Sequence, residues 1–370
     1  MIELINQIEK IIMNFKVKYT LKSHELTTNI LKDTTKFDNE LNDFSVAFNN
    51  LFTGGFSKNT INNYIIENDY LFNLADITLN NDDLVTTKAL DDFNSATHTT
   101  SKAKCDANKK YYIMKCYEYF IYIFDKNNKT SFMLIRDDKK VLTMINILLL
   151  TPYLMYGELF AVHGGLVNKD DKNILINNAS LGGKTTFALL FASNGWDIIT
   201  EETTYITTNG EILPFNIRNY FNIRVGTYLN FLDFFKSKGI IFDDFINMKY
   251  LSPNELYNHG KEGQKSIDFE KIGVFKSLEY KYITNSLKVS ISKDDSFQIT
   301  DCSILENVNA FLQLSVAPTV LLFTELLNYH DINKKLREEK LRNIFSKTSS
   351  YQIKSGFDYK EHFKDIQKIV

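Results

Sequence analysis

The chain has 370 residues, 44% hydrophobic and 14% aromatic, with 43 basic and 45 acidic side chains and a formal net charge of −2. That length and apolar content exclude a disordered chain and leave room for two domains or one large decorated one. Both charge signs are spread along the chain with no basic stripe, which excludes nucleic acid as an expected partner.

Residues 1–20 place Ile2, Leu4, Ile5, Ile8, Ile11, Ile12 and Phe15 at helical spacing, which predicts an amphipathic helix. Residues 1–16 hold no continuous apolar core of a secretory signal. Residues 21–60 are polar and carry no clear period. Tyr64 to Leu79 predicts one or two strands, and Asp82 to Lys110, rich in Asn, Asp, Ser, Thr and Lys, predicts a surface loop. Tyr111 to Asp125 is aromatic and β-branched, a strong strand signal. Asn127-Asn128 begins a turn, and Ser131 to Arg136 is the expected partner strand. Val141 to Tyr156 is the most apolar run, too short to span a bilayer comfortably and interrupted by Pro152. It predicts a buried helix and no membrane span. The resulting division is a β-containing domain over 1–138, suited to substrate or partner recognition, and a second domain over 139–370. The cysteines Cys105, Cys116 and Cys302 have neither disulfide nor metal spacing, so reduced thiols in a cytoplasmic protein are expected.

Phe160 to Val167 (FAVHGGLV) predicts a strand hairpinned, through Asn168 to Lys172, to the apolar run Ile174, Leu175, Ile176. That run leads straight into Asn178, Ala179, Ser180, Leu181, Gly182, Gly183, Lys184, Thr185 and Thr186. A helix follows (Phe187 to Ala192) and stops at Asn194-Gly195. A further strand (Trp196, Ile198, Ile199) ends on Glu201-Glu202. Strand, glycine loop, helix, strand, acidic pair is the order of parts a nucleoside triphosphate site needs. Backbone N–H groups at a helix start hold phosphates, a lysine reaches the terminal phosphates, and a hydroxyl takes Mg²⁺. A carboxylate on a neighbouring strand handles the metal or the proton of the attacking group. The phosphate-loop pattern G-x-x-x-x-G-K-[ST] is intact in its second half, while Asn178 replaces the first glycine. Asparagine enters positive φ more readily than most residues, which is the expected reason it is tolerated there.

Beyond the acidic pair, Tyr205 to Leu213 predicts a hairpin turning at Asn209-Gly210. Lys249 to Ser266 is a polar loop suited to covering or selecting a substrate. Ile272 to Phe275 predicts a core strand, Phe311 to Leu327 a helix interrupted near Pro318, Leu336 to Phe345 another helix, and Ser350 to Lys354 a last strand. Asp358 is the expected N-cap of a closing helix. His24, His98, His259, His330 and His362 show no ligand spacing.

His-Gly before the loop strand, Gly-Lys-Thr, and an acidic pair resemble the HPr kinase/phosphorylase superfamily, which shares its core with phosphoenolpyruvate carboxykinases. His163 lies twenty-one residues before Lys184 and Glu202 eighteen after it, the spacings of that family. The resemblance covers roughly residues 140–370. It implies an α/β fold with mixed sheets around a phosphate-loop core, preceded by the β-containing domain. It also implies an ATP- or GTP-dependent kinase that moves a γ-phosphate to a hydroxyl, in the family a serine, of a peptide or protein. Lys184 would stabilise the transferring group, Thr185 would bind Mg²⁺, Glu202 would match the catalytic base, and His163 would lie over the same site. Phe215 to Phe221 (FNIRNYF) resembles the family's L-E-I-R-G-L-G segment, with Asn216 in place of a metal-binding Glu and Arg218 retained. Thr185, Glu201 and Asn216 are then the Mg²⁺ positions, and Arg224 is a further candidate for phosphate. The family's hexamers make a homo-oligomer an expectation. Two alternatives stay open on the sequence: a nucleotide-binding scaffold without transfer, favoured by Asn178, Asn216 and the Glu-Glu pair, and a nucleotide hydrolase that powers a partner.

Overall fold

The computed structural model describes residues 2–13, 15, 17–22, 26–32, 38, 41, 59–79, 101–105, 111–116, 119–136, 149–153, 159–178, 182–201, 203–213, 220–252, 255–256, 264–273, 282–292, 296–308 and 334–370. The chain forms two compact units, Met1–Phe160 with Val316–Arg337, and Ala161–Ser315 with Glu338–Val370. The division falls at Phe160/Ala161, whereas the sequence reading placed it at 138/139. Both units are mixed α/β structures.

The first unit holds α1 (Ile2–Ile12), β1 (Val17–Lys22), β2 (Leu26–Lys32), β3 (Asn59–Glu67), α2 (Asp69–Thr78), β4 (Ser101–Cys105), β5 (Tyr111–Cys116), β6 (Phe120–Asp125) and β7 (Thr130–Ile135). The strands form one sheet in the order β1-β2-β3-β7-β6-β5-β4. β2, β3 and β7 run parallel, and the remaining pairings are antiparallel. One face is covered by Leu4, Ile5 and Ile8 of α1 and by Leu71, Phe72 and Ala75 of α2, packed on Ile113, Ile121, Ile123, Phe132 and Leu134.

Two predicted elements differ here. The Tyr64–Leu79 stretch is strand only to Glu67. Asn68 then accepts the Leu71 N–H at 3.0 Å and starts a helix whose Leu71, Ala75 and Leu79 recur every fourth residue on its buried side. The 111–125 run is two strands, broken where Tyr119 N–H returns to the Cys116 carbonyl at 3.0 Å. The turn after β6 is built by Asp125, whose carboxylate accepts the N–H groups of Asn127 and Asn128 at 3.0 and 3.1 Å. Within 141–156 only 149–153 is described, a helical segment burying Leu149, Leu150 and Tyr153. Among the described residues no helix is long and apolar enough to cross a membrane.

The second unit contains β9 (Gly164–Lys169), β10 (Lys172–Asn177), α3 (Lys184–Ala192), β11 (Asp197–Thr200), β12 (Thr204–Thr207), β13 (Ile212–Leu213), β14 (Tyr220–Arg224), α4 (Val225–Asn230), α5 (Leu232–Ser237), α6 (Asp243–Ile246), β15 (Gln264–Asp268), β16 (Asn285–Ile291), β17 (Gln298–Asp301), β18 (Ser349–Ser355) and α8 (Phe363–Ile369), while β8 (Leu159–Val162) and α7 (Lys334–Phe345) cross the division. Its main sheet has the order β11-β9-β10-β16-β18-β17. β10, β16 and β18 are parallel, while β9 is antiparallel to both β10 and β11. β11 therefore points the same way as β10 but lies one strand further out. The predicted hairpins β9–β10 and β12–β13 are present, and Gly210 takes φ +88° in the turn of the latter.

Three C-terminal expectations change. The strand before Ile272 is β15, paired with β14, and Phe269–Lys271 is a 3₁₀ turn. The closing helix begins at Phe363 after His362, because the Asp358 carboxylate engages the His362 ring at 3.3 Å. The 311–327 helix and half of the 249–266 segment lie outside the described residues, and Gln264–Ser266, expected as loop, belongs to β15.

The core that positions the loop is built on α3. Its Phe187, Ala188, Leu189, Leu190 and Phe191 are buried, so this helix is apolar all round and has no solvent face. Phe191 meets Trp196 and Phe363 edge to face at centroid distances of 5.1 and 5.4 Å. Phe191→Ala should destabilise the second unit by about 3–5 kcal/mol. Urea unfolding followed through Trp196, the single tryptophan of the chain, reads that loss directly.

Candidate phosphate-binding site

β10 delivers the loop at the carboxyl ends of three parallel strands, where open α/β sheets place ligand crevices. The loop ends at Gly183, the N-cap of α3, in a left-handed conformation (φ +97°, ψ 7°) with no side-chain cap. The first-turn N–H groups of α3 are thus left for an anion rather than for a capping side chain. Glycine is required at 183 twice over, by its positive φ and because a methyl group there would meet Ile291 Cδ1 at 2.7 Å. Lys184 is half-buried and donates to the carbonyl of Asn178 at 3.0 Å, so its ammonium folds back over the loop.

The carboxylate partner arrives by a route that depends on close strand packing. β11 carries a register irregularity between Ile198 and Thr200 just before Glu201. Such bulges re-aim the side chains that follow them. The Glu201 carboxylate accepts a hydrogen bond from the Thr185 hydroxyl at 2.7 Å. For this to happen β9, which lies between β10 and β11, must be thin at that level. Gly164 and Gly165 make it so: a methyl group at 164 would lie 2.8 Å from the Ile176 carbonyl oxygen, and one at 165 would lie 3.1 Å from that of Glu201 and 3.2 Å from that of Thr200. The Thr204 hydroxyl donates to the Gly164 carbonyl at 2.9 Å and contacts the Thr200 hydroxyl at 2.6 Å, which leaves Thr200 as donor in that pair. This buried chain ties the strand after the acidic pair to the residue beside His163. His163 itself sits half-buried between β8 and β9.

Not every predicted residue joins the site. Thr186 is buried and its hydroxyl pairs with Thr227 of α4 at 3.1 Å, which directs it into the packing under the loop. Arg224 is half-buried at the junction of β14 and α4. Ala179, Ser180, Leu181, Glu202, Asn216 and Arg218 lie outside the described residues. The expected reason for Asn178 changes: the described non-glycine residues with positive φ are Lys129 and Asp170, so Asn178 does not use the left-handed region. Its side chain, bonded to the Gly182 carbonyl at 3.3 Å and to that of Val289, is what the position uses. Sequence reading also missed Gly165 as a spacing residue, although the Gly-Gly pair in a strand was the available signal.

The donor set fits a hard cation. Mg²⁺ takes oxygen ligands, retains several waters and uses one or two protein groups together with substrate phosphates. Thr185 and Glu201 are two such groups, already within contact of each other. Among the described residues no cluster of three or more His, Cys, Asp or Glu could hold a metal ion. Two buried atoms beside the site, Asn177 Oδ1 and Thr203 Oγ1, have no hydrogen-bond partner among the described residues. Interiors rarely tolerate this without water or a ligand nearby. No family model matches this chain, and no curated protein matches it.

Gly165→Ala should lower stability by about 1–3 kcal/mol through overpacking against the Thr200–Glu201 backbone. Urea titration of the variant checks it, and a midpoint equal to wild type would show that β9 has room to spare.

Proposed function

We propose that this protein is an ATP- or GTP-dependent kinase of the HPr kinase/phosphorylase-like type, transferring a γ-phosphate to a hydroxyl of a peptide or protein. The observation that carries this reading is the Thr185–Glu201 hydrogen bond at 2.7 Å, set beside the uncapped start of a helix that follows a parallel strand. A solvated acidic turn or a plain Gly-Gly turn has no reason to bring those two groups together.

Phosphoryl transfer asks a protein mainly for positioning and charge neutralisation. The N–H groups at the start of α3 and the Lys184 ammonium would hold the β- and γ-phosphates. Thr185 and Glu201 would exchange their mutual bond for Mg²⁺, which, when bound, neutralises charge on the phosphates. Glu202, one residue beyond, would take the proton of the acceptor hydroxyl as its oxygen bonds to the γ-phosphorus. The bond from that phosphorus to the bridging oxygen breaks, and the nucleoside diphosphate leaves. Arg218 and His163 would contact the transferring group and the incoming hydroxyl, respectively. A serine is the expected acceptor residue, and the N-terminal unit and the 249–266 segment are where its recognition would lie.

In host lysate with labelled γ-phosphate, wild type should label a protein or peptide band. Lys184→Ala should lower that labelling by at least about 100-fold, and Glu202→Gln, which removes a general base, by about 10²–10⁴-fold. Nucleotide binding without any labelled acceptor would turn the assignment to a scaffold. Acceptor-independent hydrolysis abolished by Lys184→Ala would turn it to a hydrolase.

A further inference from the structure

The residue that departs from the phosphate-loop pattern bonds to both sides of the loop's neck. Asn178 Nδ2 reaches across the neck of the loop to the Gly182 carbonyl at 3.3 Å and also donates to the Val289 carbonyl on β16. The backbone carbonyl of the same residue holds Lys184 Nζ at 3.0 Å. On the other side of the neck, a methyl group at Gly182 would stand 2.9 Å from Asn178 Cβ and would overlap its amide. A glycine at 178 would supply none of these side-chain contacts and would remove the three atoms nearest to a methyl group at 182.

We propose that Asn178 is a positioning residue that clamps the phosphate loop shut onto β16 before nucleotide arrives, with Gly182 as its matched counterpart. The clamp rests on the reading of this loop as a nucleoside triphosphate site. Its physical effect is preorganisation: the N–H groups of Gly182 to Thr185 and the Lys184 ammonium are held in place beforehand, so binding orders less chain. It also moves the steric requirement. In the usual pattern the first glycine supplies backbone freedom, whereas here the side chain at that position supplies rigidity and glycine is demanded four residues later.

The test is a double-mutant cycle on the full chain with Asn178→Ala, Gly182→Ala and the pair. Two readouts are taken well below the thermal midpoint: affinity for ATP with Mg²⁺, and amide exchange of Gly182 to Thr185 in nucleotide-free protein. Asn178→Ala should weaken ATP binding about tenfold and speed exchange of those amides about tenfold, in protein that remains folded. Gly182→Ala should weaken binding by more than that in wild type and by less than about threefold when added to Asn178→Ala, because the amide it overlaps is gone and only the contact with the Cβ at 2.9 Å is left to relax. Losses that multiply in the double variant, or an Asn178→Ala protein with wild-type affinity and exchange, would overturn the clamp. Should Gly182→Ala fail to fold, the Asn178→Ala arm decides alone. If wild type binds no ATP, the nucleotide reading falls and the exchange cycle alone judges the clamp, with the same coupling expected.

Discussion

The site in the second unit depends on a carboxylate reaching past an intervening strand. β10 brings the loop and β11 brings Glu201, but β9 runs between them in the opposite direction. Side chains at 164 and 165 would press on the backbone of the strands to either side, Ile176 on β10 and Thr200–Glu201 on β11. Two consecutive glycines avoid this, and the register of β11 shifts just before Glu201. The 2.7 Å hydrogen bond sits where those two local features meet.

Behind the loop, the second unit is built to keep α3 still. A helix of nine residues would not be stable alone, and tertiary packing supplies what propensity does not. Each fully buried Leu or Phe on it contributes roughly 1.5–3 kcal/mol relative to exposure. Aromatic contacts from Trp196 and Phe363 close one side, and the hydroxyl of Tyr228, which accepts from Phe242 N–H at 3.0 Å and donates to the Ile240 carbonyl at 3.2 Å, organises the α4–α6 segment. The orientation of the first-turn N–H groups, on which the proposed phosphate binding would rely, follows from this packing.

The first unit solves a different problem. β5, β6 and β7 are buried on both faces, which is why their sequences read as continuous apolar runs and hide the alternation that marks a half-exposed strand. Within that burial Lys115 is retained and forms an ion pair with Asp76 of α2. A buried ammonium is costly unless paired, and Asp76 supplies that pairing from the half-exposed side of α2.

What could be read from the chain alone was whatever short-range pattern encodes. The order strand, loop, helix, strand across Asn173 to Glu201, the Asn209-Gly210 turn and the strand at 349–355 are local signals, and they are present in the fold. Where two local signals compete, the reading failed. Asn68 is an N-cap, yet β-branched neighbours made its surroundings look like strand throughout. Asp358 has the chemistry of a cap but is engaged by His362 instead. Sequence by itself determined which residues form the loop and its helix, because period and glycine placement act over a few residues. Only the tertiary structure decided that Glu201 meets Thr185, that Gly165 is a spacer, that Thr186 faces Thr227 and that Asn178 works through its side chain. Each of those depends on a distance between strands or helices far apart along the chain, and no pattern of neighbouring residues encodes such a distance.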